Sequence, residues 1–168
     1  IGVEHMSCVL IDLAGTEREH RKLAFDTPAV PVAEALKTAL ALAFGHLDTD
    51  VLSRCQGLGI STPAHIRADG FVTLGPILGW RDVSLADMAR EQCPIDVPIV
   101  IENDANAFAI GDAYRHGQSG VRLFLVMETG VGGGILIDGK LFRGGNGIAG
   151  EIGHTLVPGS NGQKLEHL

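Results

Sequence analysis

The chain has 168 residues, 45% of them apolar, and a formal net charge of −7. That is enough for one ordinary domain or two small lobes around a buried core, and the acidic balance leaves this segment no basic face for nucleic acid. Three scattered cysteines, Cys8, Cys55 and Cys93, lack any CxxC spacing and favour a reducing, cytoplasmic compartment over a disulfide frame, and neither a membrane-length apolar run nor a signal-peptide pattern is present.

In chain order, "SCVLIDLAG" (7–15) and "TEREHRKLAFDTP" (16–28) read as an antiparallel hairpin. From Pro31, apolar residues at Val32, Leu36, Leu40, Phe44 and Leu47 keep helical spacing behind a first-turn proline. "QGLGISTPA" (56–64) is a strand ending in a proline turn, and Asp69-Gly70 marks a further turn. Ser84 stands as the N-cap of a short helix, "SLADMAREQC", and "VPIVIE" (97–102) is a buried strand leading into the helix "NDANAFAIGDAYRHG". Strands alternating with helices predict an α/β fold. Two more strands, "VRLFLVMET" (121–129) and "GGGILIDGKLF" (132–142), follow across a glycine turn, with a tight loop at Asp138-Gly139. Gly, 23 in number and mostly beyond residue 110, announces tight backbone geometry there. The lobe boundary is expected near "RHGQSG" (115–120), giving an N-terminal lobe over 1–118 and the start of a C-terminal lobe over 119–168. From a first residue other than Met and an end at "KLEHL", the chain is expected to be a fragment.

Three stretches carry chemistry. Glu102, Asn103, Asp104 and Asn106 stand where a strand ends and a helix starts, the place where α/β folds put ligands. Asp104 alone reads equally as an N-cap. Capping does not call for two amides as well, whereas a polyhydroxylated ligand does, and a carboxylate placed to take a hydroxyl proton is what sugar phosphorylation asks of a base. "METGVGGGI" (127–135) offers Thr129, Gly130 and Gly132 as backbone donors to a phosphate, or else a plain tight turn between strands. Glu128 weighs against a nucleotide, since a carboxylate beside a triphosphate costs about 1 kcal/mol at ~4 Å even in water. In "GGNGIAGEIGHTLVPG" (144–159), Glu151 and His154 stand three apart as structural polar residues or as partners of hydroxyl groups. His154 is a reasonable metal ligand, but one imidazole with no Cys or second His nearby does not complete a tetrahedral zinc site, and no zinc is expected from these residues.

Taken together, "IGVE", "LGISTPAHIRADGFV", "GPILGWRDVSL", "VPIVIENDANAFAIGDAYRHG", "TGVGGGILIDGKLFRGGNGIAGEIGH" and "LEHL" resemble the ROK family of bacterial sugar kinases and sugar-responsive repressors. The resemblance implies an actin-like, hexokinase-like (ribonuclease H-like) α/β fold of two lobes. It also implies that Asn103, Asp104, Glu151, His154 and Glu166 contact a sugar in the interlobe cleft, with Asp104 the catalytic base in kinases. The chain departs from the kinase pattern in several places. Glu4 replaces the aspartate of a "DxGGT" phosphate loop that is about four residues short, Glu128 replaces a phosphate glycine, and Ile77 and Ala64 replace an asparagine and a glycine. The family's cysteine knuckle is missing between Gln163 and Leu165, so zinc, with His154 as a ligand, is expected only in a chain that carries it.

The departures favour the effector domain of a sugar-responsive regulator over an enzyme. Such a protein would bind a sugar, amino sugar or sugar phosphate, reach DNA through a winged helix-turn-helix upstream of Ile1, and assemble as a homodimer or homotetramer without a membrane partner. The alternative is an ATP-dependent sugar kinase with Asp104 as base and Thr129, Gly130 and Gly132 at the nucleotide, and only that reading requires ATP and magnesium.

Overall fold

The computed structural model describes residues 1–117, 119–127, 130–145, 147–158 and 165–167, with backbone alone for 157–158 and 165–167. The chain divides into two compact units, Ile1–Glu102 and Asn103–Leu168. The sequence put the boundary near 115–120. The difference is the helix that begins within "ENDAN", which packs its alanines on a strand of the second unit and so belongs there.

In the first unit, β1 (His5–Ile11) and β2 (Glu17–Ala24) form the expected hairpin, His5 opposite Ala24 and Val9 opposite His20. Asp12 organises its turn by accepting the N–H groups of Ala14 and Thr16 and the guanidinium of Arg18. The Thr16 backbone bond, then the Arg18 bond, hold this carboxyl below its ordinary range. Between them Val9, Ile11 and Leu13 are exposed, whereas Met6 is buried. On β1, Cys8 is half-buried, and burial pushes its thiol up, with Glu19 adding to the shift.

Helix α1 (Val32–Phe44) buries Ala35, Leu36, Leu40 and Phe44 on one face, as the spacing predicted, with Pro31 at the N-cap position rather than inside the first turn. A six-residue helix, α2 (Thr49–Arg54), is too short to show an apolar period. It is recognisable only by its cap, Asp48 accepting the Val51 N–H at 2.8 Å. Strand β3 (Leu58–Thr62) follows, then a three-stranded antiparallel sheet of β4 (His65–Ile66), β5 (Val72–Gly75) and β6 (Trp80–Val83). Gly70 takes the expected turn at φ +82°, tucked under Ala86 and Ile101. Helix α3 (Leu85–Gln92) starts after Ser84 as read from the sequence, but the Ser84 side chain makes no cap bond.

Strand β7 (Ile99–Asn103) is the hydrogen-bonded neighbour of β3. Leu58 N–H donates to the Pro98 carbonyl where both strands begin, so they run the same way and finish together at Thr62 and Asn103. Leu36, Leu78, Trp80, Leu85 and Ile101 close the core of this unit.

The second unit begins with α4 (Asp104–His116). Strands β8 (Val121–Met127), β9 (Val131–Ile137) and β10 (Lys140–Leu141) form its antiparallel sheet in the order β10-β9-β8. Asp138 and Gly139 make the tight turn at φ +47° and +75°. Ala109, Ala113 and Leu136 form the buried cluster between helix and sheet. A 3-10 turn at Ile152–His154 and a short pair, β11 (Leu156–Pro158) with β12 (Leu165–His167), complete it. No helix among the described residues is long and apolar enough to cross a membrane.

Candidate functional site

The seam that drew attention in the sequence is built from β7 running directly into α4. Glu102, the last residue of the first unit, is buried at 5% exposure. Asn103 is the N-cap, its side-chain oxygen accepting the Asn106 N–H at 3.1 Å. The capping reading of Asp104 is therefore corrected, since its neighbour does that work. Among the described residues, the Asp104 carboxylate accepts the adjacent Ala105 N–H, at 2.8 Å, and it is exposed. In the first turn of α4 this carboxylate lies at the positive end of the helix dipole and is presented with a fixed backbone beneath it. Asn106, in the first turn of the helix, is buried at 7% exposure.

Glu151 and His154 are brought together by the 3-10 turn at Ile152–His154, with Glu151 at its N-cap position. Their side chains approach to 3.8 Å, adjacent but beyond hydrogen-bond distance. Glu151 is half-buried and His154 exposed, so both present polar atoms to solvent or ligand. The segment carrying them packs on the beginning of β9, with Gly150 against Gly133 and Gly153 against Val131.

The other sequence-predicted residues are distributed as follows. Gly130 immediately precedes β9, with no described atom within 4 Å of where a Cβ would stand, and Gly132 lies within β9 against Ala105. Thr129, with Glu128, is outside the described residues, as is the side chain of Glu166, whose backbone pairs with Val157. Ile77 is 48% exposed, and Ala64 is buried beside Gly75. The cysteines are free thiols on β1 and at the ends of α2 and α3, all in the first unit. The unit of His154 contains no cysteine, so its residues do not fit a zinc centre of the cysteine-rich kind.

What sequence reasoning missed at this site is the packing role of the glycines. Its signal was three consecutive glycines inside a strand pattern, which marks close approach of another backbone as readily as a phosphate.

Comparison with known proteins gives the same blocks a context. The model of the ROK family matches residues 1–165. A glucokinase of Halalkalibacterium halodurans is 40% identical over 131 residues, covering 76% of this chain and 38% of that protein. A xylose repressor of Caldicellulosiruptor bescii is 32% identical over 167 residues, 94% of this chain and 40% of the relative. Among solved structures, a ROK family glucokinase from Streptomyces griseus, in complex with glucose and AMPPNP, superposes with a TM-score of 0.76. It is 30% identical, over 94% of this chain and 49% of that one. The fold is thus the actin-like, hexokinase-like α/β fold, and the chain spans about two-fifths to half the length of these relatives.

Proposed function

Because the chain belongs to the ROK family, we propose that it is the sugar-sensing part of a transcriptional regulator. Asp104, Asn103, Glu151 and His154, with Glu166, hold the hydroxyl groups of a sugar or amino sugar, free or phosphorylated. Their differential affinity for two states of the protein changes DNA binding by a winged helix-turn-helix domain outside this chain. Acidic composition is no obstacle when a separate domain grips the phosphates. The protein works in the cytoplasm as a homodimer or homotetramer.

The observation that carries this reading is the clasp at residues 2–5. Gly2 N–H donates to the His5 carbonyl, and the Gly2 carbonyl accepts the Thr27 hydroxyl at 2.6 Å. The Val3 and Glu4 carbonyls accept the N–H groups of Thr27 and Phe25. Where kinases of the family carry an open glycine loop for phosphate, this backbone is occupied with its own chain and displays an exposed carboxylate, Glu4. Phosphoryl transfer depends on neutralising and positioning those phosphates.

A second reading, an ATP-dependent sugar kinase with Asp104 as base, is favoured by the exposure of that carboxylate at the helix start and by the 40% identity with a glucokinase. Magnesium and ATP belong to this reading alone. One experiment separates the two: full-length protein is incubated with ATP, magnesium and D-xylose, D-glucose or N-acetyl-D-mannosamine. The regulator reading expects sugar-dependent thermal stabilisation without turnover, of about 2.7 kcal/mol at a hundredfold excess over Kd. Turnover that disappears in Asp104→Asn would establish the kinase instead.

A further inference from the structure

We propose that the glycines of β9 and of the 150–153 segment are positioning residues for the sugar site. They form a seat without side chains that fixes the first turn of α4, with Asp104, and the turn bearing Glu151 and His154 by direct backbone contact. The inference rests on the reading that Asp104 and Glu151 hold sugar hydroxyls.

Successive residues of a strand point to opposite faces, and β9 uses this alternation with three glycines in a row. Gly132 and Gly134 face α4. A Cβ on Gly132 would lie 3.1 Å from the Ala105 Cβ, and one on Gly134 would lie 2.8 Å from both the Ala105 carbonyl oxygen and the Ala109 Cβ. Gly133 faces the other way, where a Cβ would lie 2.5 Å from the Gly150 carbonyl oxygen. From the opposite side, a Cβ on Gly150 or on Gly153 would collide with the carbonyl oxygens of Gly133 and Val131, and Gly150 is further restricted to glycine by φ +95°.

Most of these obstacles are main-chain atoms, which do not swing aside like the end of a side chain. A single added methyl therefore moves a whole segment by several tenths of an ångström. Ala105 is the neighbour of Asp104, and Glu151 lies between Gly150 and Gly153, so the displaced segments are the ones that carry the proposed ligands. Hydrogen bonds to hydroxyl groups tolerate only about half an ångström between good and poor geometry.

The same observations separate packing from phosphate binding along this stretch. Gly132, Gly133 and Gly134 pair with Val126, Leu125 and Phe124 of β8, and Gly133 and Gly134 are buried. Gly130 alone among the glycines of 130–134 has open space around it.

The test uses full-length protein and titration calorimetry with the sugar of D-xylose, D-glucose and N-acetyl-D-mannosamine that binds most tightly, together with its monodeoxy analogues. Glu151→Gln first identifies the analogue whose missing hydroxyl Glu151 reads, as the one that this variant no longer distinguishes from the parent sugar. Gly150→Ala is then expected to lose about tenfold in affinity and to stop distinguishing the same analogue. An unchanged Kd in Gly150→Ala, or an equal loss for every analogue with discrimination intact, would overturn the proposal alone and leave the site standing. Failure of all three sugars to bind, or an unchanged Glu151→Gln, would overturn the site reading and the proposal with it. Should Gly150→Ala fail to fold, Gly132→Ala, whose added methyl meets only a side chain, carries the same comparison with Asp104→Asn as reference. It is expected to lose about threefold, and wild-type affinity and discrimination there would overturn the proposal.

Discussion

The two units of this chain are held together in opposite ways. The first closes over large side chains, among them Leu36, Leu78, Trp80 and Leu85, all nearly inaccessible. The second buries Ala109, Ala113 and Leu136 as its apolar cluster among the described residues, with Phe124 and Leu141 packed against it. Its sheet turns Val121, Leu123, Leu125 and Met127 outward, exposed by 48–75%. Where the first unit fills space, the second removes the need for filling by bringing main chains together through glycine and alanine. Stability in the one scales with the volume buried, and in the other with the volume that is missing.

The largest expected effect tests the first half of that contrast. Leu36→Ala, at a position with 0% exposure, is expected to cost about 2–5 kcal/mol in chemical denaturation, because the cavity left under α1 does not refill. Leu123→Ala, on the outward face of β8, is expected to stay within about 0.5 kcal/mol. Equal costs at the two positions would mean that the outer face of β8 is as well packed as the core, and the contrast would fall.

Next in size is Gly134→Ala, which adds one carbon where the Ala105 carbonyl and the Ala109 methyl stand 2.8 Å away. Overpacking of this kind costs about 1–3 kcal/mol. The measured loss should appear in the second unit, in hydrogen exchange of α4 and β9 rather than of α1. A neutral outcome would show that α4 lifts off β9 without penalty.

Much of this architecture was legible in the sequence, for physical reasons that also explain what was not. The hairpins, α1, α3 and α4 have apolar periods or turn residues that local chemistry fixes, and Asp138-Gly139 could be read from two letters. Helix α2 is too short to carry a period, and the unit boundary at Glu102 depends on tertiary packing of α4 that no local pattern records. At the candidate site, residue types could be read but not assignments. Asn103 and Asp104 both make good caps, and only the geometry decides that Asn103 takes the role and leaves the other carboxylate presented. The glycine run was visible as glycine, but whether it faces a phosphate or the backbone of a neighbouring segment is a question about three dimensions.

A smaller effect probes the clasp that distinguishes the first unit from a phosphate loop. Thr27 is fully buried, and its hydroxyl donates to the Gly2 carbonyl at 2.6 Å. Thr27→Val keeps the shape and removes the donor, leaving a carbonyl short of a partner, so a cost of about 1–2 kcal/mol is expected in denaturant unfolding. Thr27→Ser, which retains the hydroxyl, should recover part of it. If valine and serine behave alike, the clasp is held by packing and its hydrogen bond contributes nothing measurable.

The smallest effect carries the opposite sign and isolates the cause of the others. Gly111 sits in the middle of α4 on a face turned to solvent, with no heavy atom within 4 Å of where a Cβ would stand. Gly111→Ala is chemically the same change as Gly134→Ala, one methyl added to a glycine, yet it meets nothing and removes conformational freedom from the unfolded chain. It is expected to stabilise by about 0.4–1 kcal/mol, raising Tm by roughly 1–4 °C for a chain of this size, with sugar affinity unchanged. The two alanines add the same methyl in different surroundings, one on an open helix face where alanine is also the better helix former and one in a strand against backbone, so a loss at Gly134 beside a gain at Gly111 would place the penalty in the close approach of backbones. Destabilisation by Gly111→Ala would mean that this face of α4 is covered in the working protein.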